Sequence, residues 1–553
     1  MIILQFLIFN SLIYFLGRGI LELISFFSKS KIGTENVKIF GINLNFFYPI
    51  IGLFFIGNFV TVLNFFTGVD RTWVYMIFLL ILLLNFNRVN SLKFSILGFL
   101  NYFLIPTILS VSTINTGIHR DSHLYQFNYQ NWIRSEKIAL GLTNISGRFG
   151  YASVYDPISS VFWINNNAAY FHFLNLVFFV IFFNFLAINI LNRENSQLFF
   201  ASYFLLIFGV LDNFGFSGGR NGFIYIEGIG KQDVAFAVIF FITNMLIITS
   251  FIKSEFSELE FRIASIMVLF SAQLRLLGVL SLLPLLYWYF KVFDFKKHSL
   301  YKNMRLFILP TLLGIIWIVK NILITGCIVF PVSERLCFDQ LSWYIPGTAT
   351  VLAWTIADFY YGLSTEDGLV AWYNHWMSSP FNAAIAKNFV FSFLILLSLK
   401  VIFLSNKNKF SIKDSSFLLI YMALNFYPWL NSGPAIRFGM GFFMLVIGIL
   451  GFGDFEYRFL KPVFKIAENK IVLILLIVMC TFLIPRLGKY KEFAADPIYF
   501  PIIESETIDT VPNPSGWGVT PAFGYECNIN IDCIPYAVGT KLYINSYGYK
   551  VFK

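Results

Sequence analysis

Long apolar runs separated by short polar segments dominate this chain. A helix that crosses a bilayer needs about 17 to 25 mostly apolar residues. The apolar runs lie near 2–27, 39–67, 73–87, 94–113, 161–191, 198–215, 234–251, 306–326, 388–404, 415–431, 438–453 and 471–485. The pattern predicts an all-α polytopic membrane protein with roughly 12–14 transmembrane helices, once ambiguous segments are included.

One apolar stretch does not fit a simple count of spans. Residues Phe261 to Phe290 lie between two basic segments, which should face the same side, yet the stretch is short for two full spans. We therefore expect a pair of short or re-entrant helices here, with Arg275 near the turn.

Composition and charge agree with the membrane class. Hydrophobic residues make up 57% of the chain, charged residues only 13%, and the mean hydropathy is +0.71, which excludes an ordinary soluble domain. Lysine and arginine collect in short segments, which favours a cytoplasmic location for those segments. They are 29–38, 88–93, 291–305, 407–413 and 458–470. This topology accounts for the net charge of +10, so no nucleic-acid partner is implied.

The same reasoning divides the chain into regions. Residues 1–113 form N-terminal transmembrane helices, and 114–160 form an outer-face loop that we interpret as catalytic. Residues 161–488 form a transmembrane core with outer loops at 214–233 and 327–387, and 489–553 form a small extracytoplasmic C-terminal cap rich in proline, glycine and tyrosine.

The cysteines provide a separate indication of sidedness, because disulfides persist outside the reducing cytosol. Four of the five cysteines fall in predicted outer segments, as two close pairs. We predict the bridges Cys327–Cys337 and Cys527–Cys533, with Cys480 unpaired inside a helix; scattered structural thiols are the alternative.

The polar stretch His119 to Ser160 carries the leading candidate for chemistry. Asp121 follows a predicted helix and can act as a general base toward a hydroxyl group. A helix-capping or solvated carboxylate is the alternative. No cofactor is certain; His119 and His123, with Asp121, can also hold a divalent metal, although the sequence provides no clear further ligand.

Other candidates are basic or aromatic. Arg148 and Arg134 are available to a phosphate, and the glycine-punctuated segment 141–150 is compatible with a short amphipathic helix along the interface. Arg275, Lys320 and Arg437 lie inside or at the outer edge of the bilayer, where they suit an anionic lipid phosphate. The aromatic outer loop from Trp343 to Trp376 can stack on sugar rings, although such residues are also common at membrane interfaces.

A series of short motifs supports a resemblance over residues 110 to 440. The motifs are Asp121 with Leu124 and Tyr125; Gly141, Leu142, Asn144 and Arg148; Lys231 and Asp233; Gly326, Cys327 and Pro331; and Arg437 with Phe438. In this order they resemble an uncharacterised family of bacterial multi-spanning proteins whose layout is similar to that of the GT-C glycosyltransferases.

The resemblance implies a function and a site. It implies transfer of a sugar from a polyprenyl-phosphate-linked donor to a glycan, lipid or protein acceptor of the envelope, with Asp121 as catalytic base. The place implied is the periplasmic or extracellular side of the bacterial inner (plasma) membrane. The substrate-binding set that we assign is His123, Tyr125, Asn144, Arg148, Lys231, Asp233, Lys320 and Arg437.

Two other functions remain open at this point. An O-antigen polymerase or ligase shares the membrane setting and the lipid-linked substrates but relies on outer-face arginines. A transporter or flippase for a lipid-linked anionic substrate is the alternative from another class, although the chain lacks the two related halves that many transporters have.

Overall fold

The computed structural model describes most of the chain outside several connecting segments. The described residues are 1–28, 37–85, 96–113, 121–151, 153–163, 169–192, 196–211, 232–254, 256–292, 300–353, 368–403, 411–432, 434, 436–452, 487–495, 509–514, 516, 518–522, 527, 533 and 540–553. The predicted last span at 471–485, Cys480, Lys231, His119 and most of the loop 214–233 lie outside them.

Helices account for most of the described chain. They are α1 (Ile2–Ser28), α2 (Tyr48–Asn64), α3 (Arg71–Asn85), α4 (Ile96–Phe99), α5 (Ile105–Ser110), α6 (Phe127–Ser135), α7 (Tyr155–Val161), α8 (Ala169–Asn192), α9 (Ser196–Leu211), α10 (Asp233–Lys253), α11 (Glu258–Leu274), α12 (Leu282–Val292), α13 (Leu300–Thr325), α14 (Gly368–Ser378), α15 (Pro380–Phe403), α16 (Ile412–Ser432), α17 (Ile436–Leu450) and α18 (Leu487–Ala495).

Strands are few and short, and they form three antiparallel hairpins. The strands are β1 (Lys38–Ile39), β2 (Ile42–Asn43), β3 (Thr510–Pro512), β4 (Val519–Pro521), β5 (Leu542–Ile544) and β6 (Lys550–Phe552), paired β1 with β2, β3 with β4 and β5 with β6.

Five helical segments in the described part of the chain are long and apolar enough to cross a membrane. They are Ile2–Leu23, Leu44–Asn64, Tyr170–Leu191, Asp233–Lys253 and Leu306–Thr325, and shorter apolar helices accompany them. A helix satisfies its own backbone hydrogen bonds, which is why apolar runs of this length fold as helices where water is absent. The mostly helical, membrane-type fold agrees with the all-α prediction.

Two predicted spans begin later than the apolar pattern indicates. The run 39–67 starts with the β1–β2 hairpin, whose turn places Phe40 and Gly41 at positive φ, so the helix begins only at Tyr48. The run 161–191 is interrupted because α7 ends at Val161 and α8 begins at Ala169. Apolar side chains can be buried in a helix, a hairpin or a connecting segment. Hydropathy alone therefore placed both helix starts too early.

The stretch that did not fit the span count forms a broken helical hairpin. Helix α11 ends at Leu274, Arg275 is extended at φ −155° and ψ 138°, and a 3₁₀ turn leads into α12. Arg275 contacts Asp233 at the start of α10, whereas Lys291 near the end of α12 donates to the Phe251 carbonyl near the end of α10 at 2.9 Å. Both arms therefore run alongside α10, and the predicted pair of short helices with Arg275 at the turn is confirmed.

Helix α10 lies at the centre of the bundle, where a few polar side chains fix how it packs. Its Asn244 donates to Ser281 at 2.8 Å and accepts from the Tyr421 hydroxyl at 2.6 Å. In α2 and α11, Asn58 and Gln273 exchange two amide hydrogen bonds of 2.8 and 3.1 Å. Polar contacts of this kind link helices where apolar contact alone favours no particular partner.

Both predicted disulfides are present, and both lie at the end of the bundle where α10 begins. Cys327 is bonded to Cys337, and Cys527 to Cys533. The C-terminal strand β6 is anchored at the same end, because Leu140 donates to the Lys550 carbonyl at 2.8 Å and accepts from the Phe552 amide at 3.0 Å. We call this the site end and the end carrying Lys291 the opposite end.

The disulfides make a direct prediction for thiol titration. The chain has five cysteines, and four of them are bridged. We expect the denatured, unreduced protein to react with one equivalent of a maleimide reagent, and the reduced protein with five. Five equivalents before reduction would mean that the bridges do not form in the cell.

Candidate functional site

Four charged side chains form one continuous chain of ion pairs at the site end. Arg437 contacts Asp121 through Nη2 at 3.0 Å and Asp233 through Nε at 3.9 Å, and Asp233 contacts Arg275 at 2.5 Å. We call Asp121, Arg437, Asp233 and Arg275 the charged quartet. Two aspartates and two arginines alternate in it, so its formal charge is zero.

The quartet assembles where helices begin or end. Asp233 is the first residue of α10, and Asp121 precedes the helical segment 122–135; both are carboxylates at helix N-termini, where the helix dipole stabilises negative charge. Arg275 caps the C-terminus of α11, where the dipole favours a cation. Arg437 is the exception, because it lies in the first turn of α17, and its two carboxylate partners compensate for that position.

One aromatic ring holds the two arginines near each other. The guanidinium carbon of Arg275 lies 3.7 Å from the centroid of the Phe438 ring, and that of Arg437 lies 4.9 Å from it. A guanidinium at these distances from a ring face is attracted by the ring quadrupole. Phe438 and Asp233 together therefore orient two guanidinium groups toward one region.

The two pairs of the quartet differ in how much of each side chain is exposed to solvent. The side chains of Asp121 and Arg437 are 30% and 28% exposed, whereas those of Asp233 and Arg275 are 12% and 19% exposed. An incoming molecule thus reaches the Asp121–Arg437 pair before the other pair. Together these groups provide a proton acceptor and two cations suited to bind an oxyanion.

A tyrosine pair adjoins the exposed side of the quartet. The rings of Tyr125 and Tyr151 lie 6.3 Å apart. Burial, together with the negative charge of Asp121, raises the pKa of the Tyr125 hydroxyl well above its ordinary value. Tyr125 is therefore a neutral phenol at physiological pH and can donate a hydrogen bond.

A second polar cluster is buried deeper. Asp156 accepts a hydrogen bond of 3.1 Å from Gln130, which in turn accepts one of 2.9 Å from the Trp163 indole. Burial raises the pKa of the Asp156 carboxyl, while the Gln130 hydrogen bond and the Lys320 ammonium group oppose the shift. Lys320 is itself buried and lies 5.7 Å from the centroid of the Tyr129 ring.

Two residues of the predicted substrate-binding set anchor the C-terminal region. The ring Nδ1 of His123 lies 3.2 Å from the Cys527 carbonyl, and the Cys527 amide donates to the His123 carbonyl at 3.1 Å. Asn144 donates to the carbonyls of Trp343 and Phe552 at 2.7 and 2.8 Å. Both side chains therefore connect the segment 123–144 to distant parts of the chain.

The Arg148 side chain makes no ion pair with the quartet. It is exposed in the 3₁₀ turn Gly147–Tyr151 and has no hydrogen bond or ion pair to another described residue. The amphipathic helix predicted over 141–150 is not formed: two 3₁₀ turns, Leu142–Asn144 and Gly147–Tyr151, replace it, and Gly141 precedes the first of them at φ +70°. The glycine at position 141 was the sequence signal for this conformation, because glycine adopts positive φ without steric cost.

The structure therefore brings together part of the predicted site. Asp121, Asp233 and Arg437 are joined, with Tyr125 beside them and Lys320 in the deeper cluster. Arg275 and Asp156 belong to the arrangement but were not in the predicted set. The sequence already indicates Arg275 as a cation suited to a lipid phosphate, although the assigned set omits it. Asp156 could have been chosen from its place near the end of the polar stretch that begins at His119.

A metal centre is not evident among the described residues. No group of three His, Cys, Asp or Glu side chains in that part of the chain is arranged to hold an ion. His119, a member of the metal alternative, lies outside the described residues, so that alternative stays a prediction.

Comparison with known proteins gives a family. Residues 1–444 match the family described as a domain of unknown function, DUF8201, and the chain belongs to that family. The matched region contains the whole charged quartet and ends before the C-terminal hairpins. No curated protein and no solved structure matches the chain.

The central carboxylate of the quartet should matter for stability. Replacing Asp233 with Asn removes the charge that holds both Arg275 and Arg437. Since a hydrogen bond to a charged group contributes about 1.5–3 kcal/mol, we expect a loss of about 2 kcal/mol in the free energy of unfolding, measured in mixed detergent micelles.

A matched control is available in α11. Glu258 and Arg262 form a 3.8 Å pair with side chains about half exposed, and Glu258→Gln should change the free energy of unfolding by less than about 0.5 kcal/mol. Equal effects of the two variants would contradict a structural role for Asp233.

Proposed function

We propose that the protein is an integral membrane glycosyltransferase of the GT-C type. It transfers a sugar from a polyprenyl-phosphate-linked donor to a glycan, lipid or protein acceptor of the bacterial envelope. The observation that carries the proposal is a partly exposed carboxylate, Asp121, held 3.0 Å from Arg437 with a second arginine nearby. The finer architecture in this proposal is the predicted one, with 12–14 transmembrane helices and a small C-terminal cap.

The proposed location of the site is the periplasmic or extracellular face of the inner membrane. Disulfides require an oxidising compartment, and the Cys527 backbone is hydrogen-bonded to His123, two residues after Asp121. The opposite end carries the predicted cytoplasmic segment that contains Lys291, in keeping with the bias of basic residues toward the cytoplasm. Both arguments support the same orientation.

The proposed reaction is displacement at the anomeric carbon of the sugar. Asp121 accepts the proton of the acceptor hydroxyl. At the same time, the oxygen of that hydroxyl forms a bond to the anomeric carbon. The bond from that carbon to the phosphate oxygen breaks, and polyprenyl phosphate leaves with the electron pair. Arg437 and Arg275 stabilise the negative charge on the leaving phosphate, and in this proposal the neutral Tyr125 hydroxyl donates a hydrogen bond to a reacting group.

Substitution of the proposed base tests the reaction. Purified wild-type and Asp121→Asn proteins are incubated with a panel of polyprenyl-phosphate sugars and acceptors, and released polyprenyl phosphate is measured. We expect Asp121→Asn to lower the rate at least about 100-fold, because a positioned base contributes about 10²–10⁴-fold.

The control is a carboxylate at the opposite end. Asp414 is paired with Lys291 at 2.7 Å, and Asp414→Asn should retain activity if the variant folds. Intact donors throughout the panel, with well-folded wild-type protein, would overturn the assignment.

The two adjacent arginines also favour a second candidate, an O-antigen polymerase or ligase that relies on cations at the outer face. This enzyme would lose activity in Arg437→Ala and keep it in Asp121→Ala. The glycosyltransferase proposal requires both variants to be impaired, so the pair of substitutions separates the two functions.

A further inference from the structure

We propose that Asp121 and the donor phosphate compete for Arg437, so that binding of the donor releases the catalytic base. This inference rests on the proposed glycosyltransferase function. It adds how binding of the donor is coupled to release of the base. In the structure, the Asp121 carboxylate is held by the same guanidinium that would bind the phosphate.

The geometry of Arg437 indicates which partner leaves. Asp121 contacts its terminal Nη2 at 3.0 Å, whereas Asp233 lies 3.9 Å from Nε. Asp233 is also tied to Arg275 at 2.5 Å, so it is held from a second side. A phosphate that approaches from the exposed end meets the Nη2 edge, and it displaces Asp121 while Asp233 continues to orient both arginines.

Charge balance supports the exchange. The quartet is neutral with Asp121 in place, and Arg437, Asp233 and Arg275 carry a net charge of +1 once Asp121 is displaced. A sugar linked to a polyprenol through one phosphate is a phosphodiester with a single negative charge. The exchange therefore replaces one monoanion with another in a partly buried site, where unbalanced charge is costly.

The exchange also affects the proposed base. Asp121 contacts Arg437 through Oδ2, and a carboxylate oxygen that is held by a guanidinium is less available to accept a proton. Once the phosphate occupies Arg437, the Asp121 carboxylate no longer has this constraint. Binding of the donor and release of the base are then a single event.

A different role for Asp121 makes the opposite prediction. If the carboxylate served to orient Arg437 for the phosphate, its removal would weaken phosphate binding. If it competes with the phosphate, its removal strengthens binding. Affinity for the phosphate therefore separates the two roles, independently of catalytic activity.

The test measures binding of a panel of polyprenyl-phosphate-linked sugars, which are the phosphodiester donors, to the detergent-solubilised full chain by titration calorimetry without an acceptor. We expect Asp121→Asn to bind about two- to fivefold more tightly than wild type, the range that follows from loss of one exposed ion pair. Asp121→Ser is a second neutral variant should Asp121→Asn fail to fold. Asp414→Asn, which removes a carboxylate from an ion pair at the opposite end, should bind like wild type.

A double-mutant cycle assigns the effect to Arg437. In an Arg437→Gln background, adding Asp121→Asn should no longer tighten binding. Tightening that persists there would reflect general loss of negative charge and would overturn the exchange, as would unchanged or weaker binding by the neutral variants in the wild-type background. Wild-type protein that binds none of these donors would instead contradict the glycosyltransferase function itself.

Discussion

The ion-pair chain from Asp121 through Arg437 and Asp233 to Arg275 joins four segments that are far apart in sequence. Each member of the quartet lies at a helix terminus. The ion pairs therefore fix where these helices meet at the site end. The members of the quartet depend on one another, because a partly buried charge without an opposite charge beside it is destabilising. This holds for the arginines and for the aspartates. The position of the candidate base is thus set by the same contacts that hold the bundle together at this end.

Deeper in the bundle, the polar contacts have a different character. The amide pair of Asn58 and Gln273 and the Asn244–Tyr421 bond are neutral and buried. Such bonds specify which helices are neighbours without placing a charge in an apolar interior. Gln273 is two residues before Arg275, so the neutral contact that fixes the end of α11 also positions the arginine of the quartet.

The C-terminal region contributes to the site end from outside the family match. Its strand β6 pairs with Leu140, its Phe552 carbonyl is held by Asn144, and its Cys527 backbone is bonded to His123. These contacts involve His123, within the helical segment that follows Asp121, and Leu140 and Asn144, which come after that segment. The region therefore buttresses the segment that presents the proposed base, which gives His123 and Asn144 a supporting role there.

The sequence by itself determined the helical membrane class, most helix positions, both disulfides and the break at Arg275, because apolar run length, close cysteine spacing and a charge inside an apolar stretch are local signals. It also selected Asp121, Asp233 and Arg437 as candidates, since a charge beside a bilayer requires a partner or a use. Only the tertiary structure decided that these three meet, that Arg275 completes the set, and that His123 and Asn144 bind the C-terminal region. Those outcomes depend on which helix ends become neighbours. That follows from packing between segments from 42 to 408 residues apart, which a local pattern does not encode.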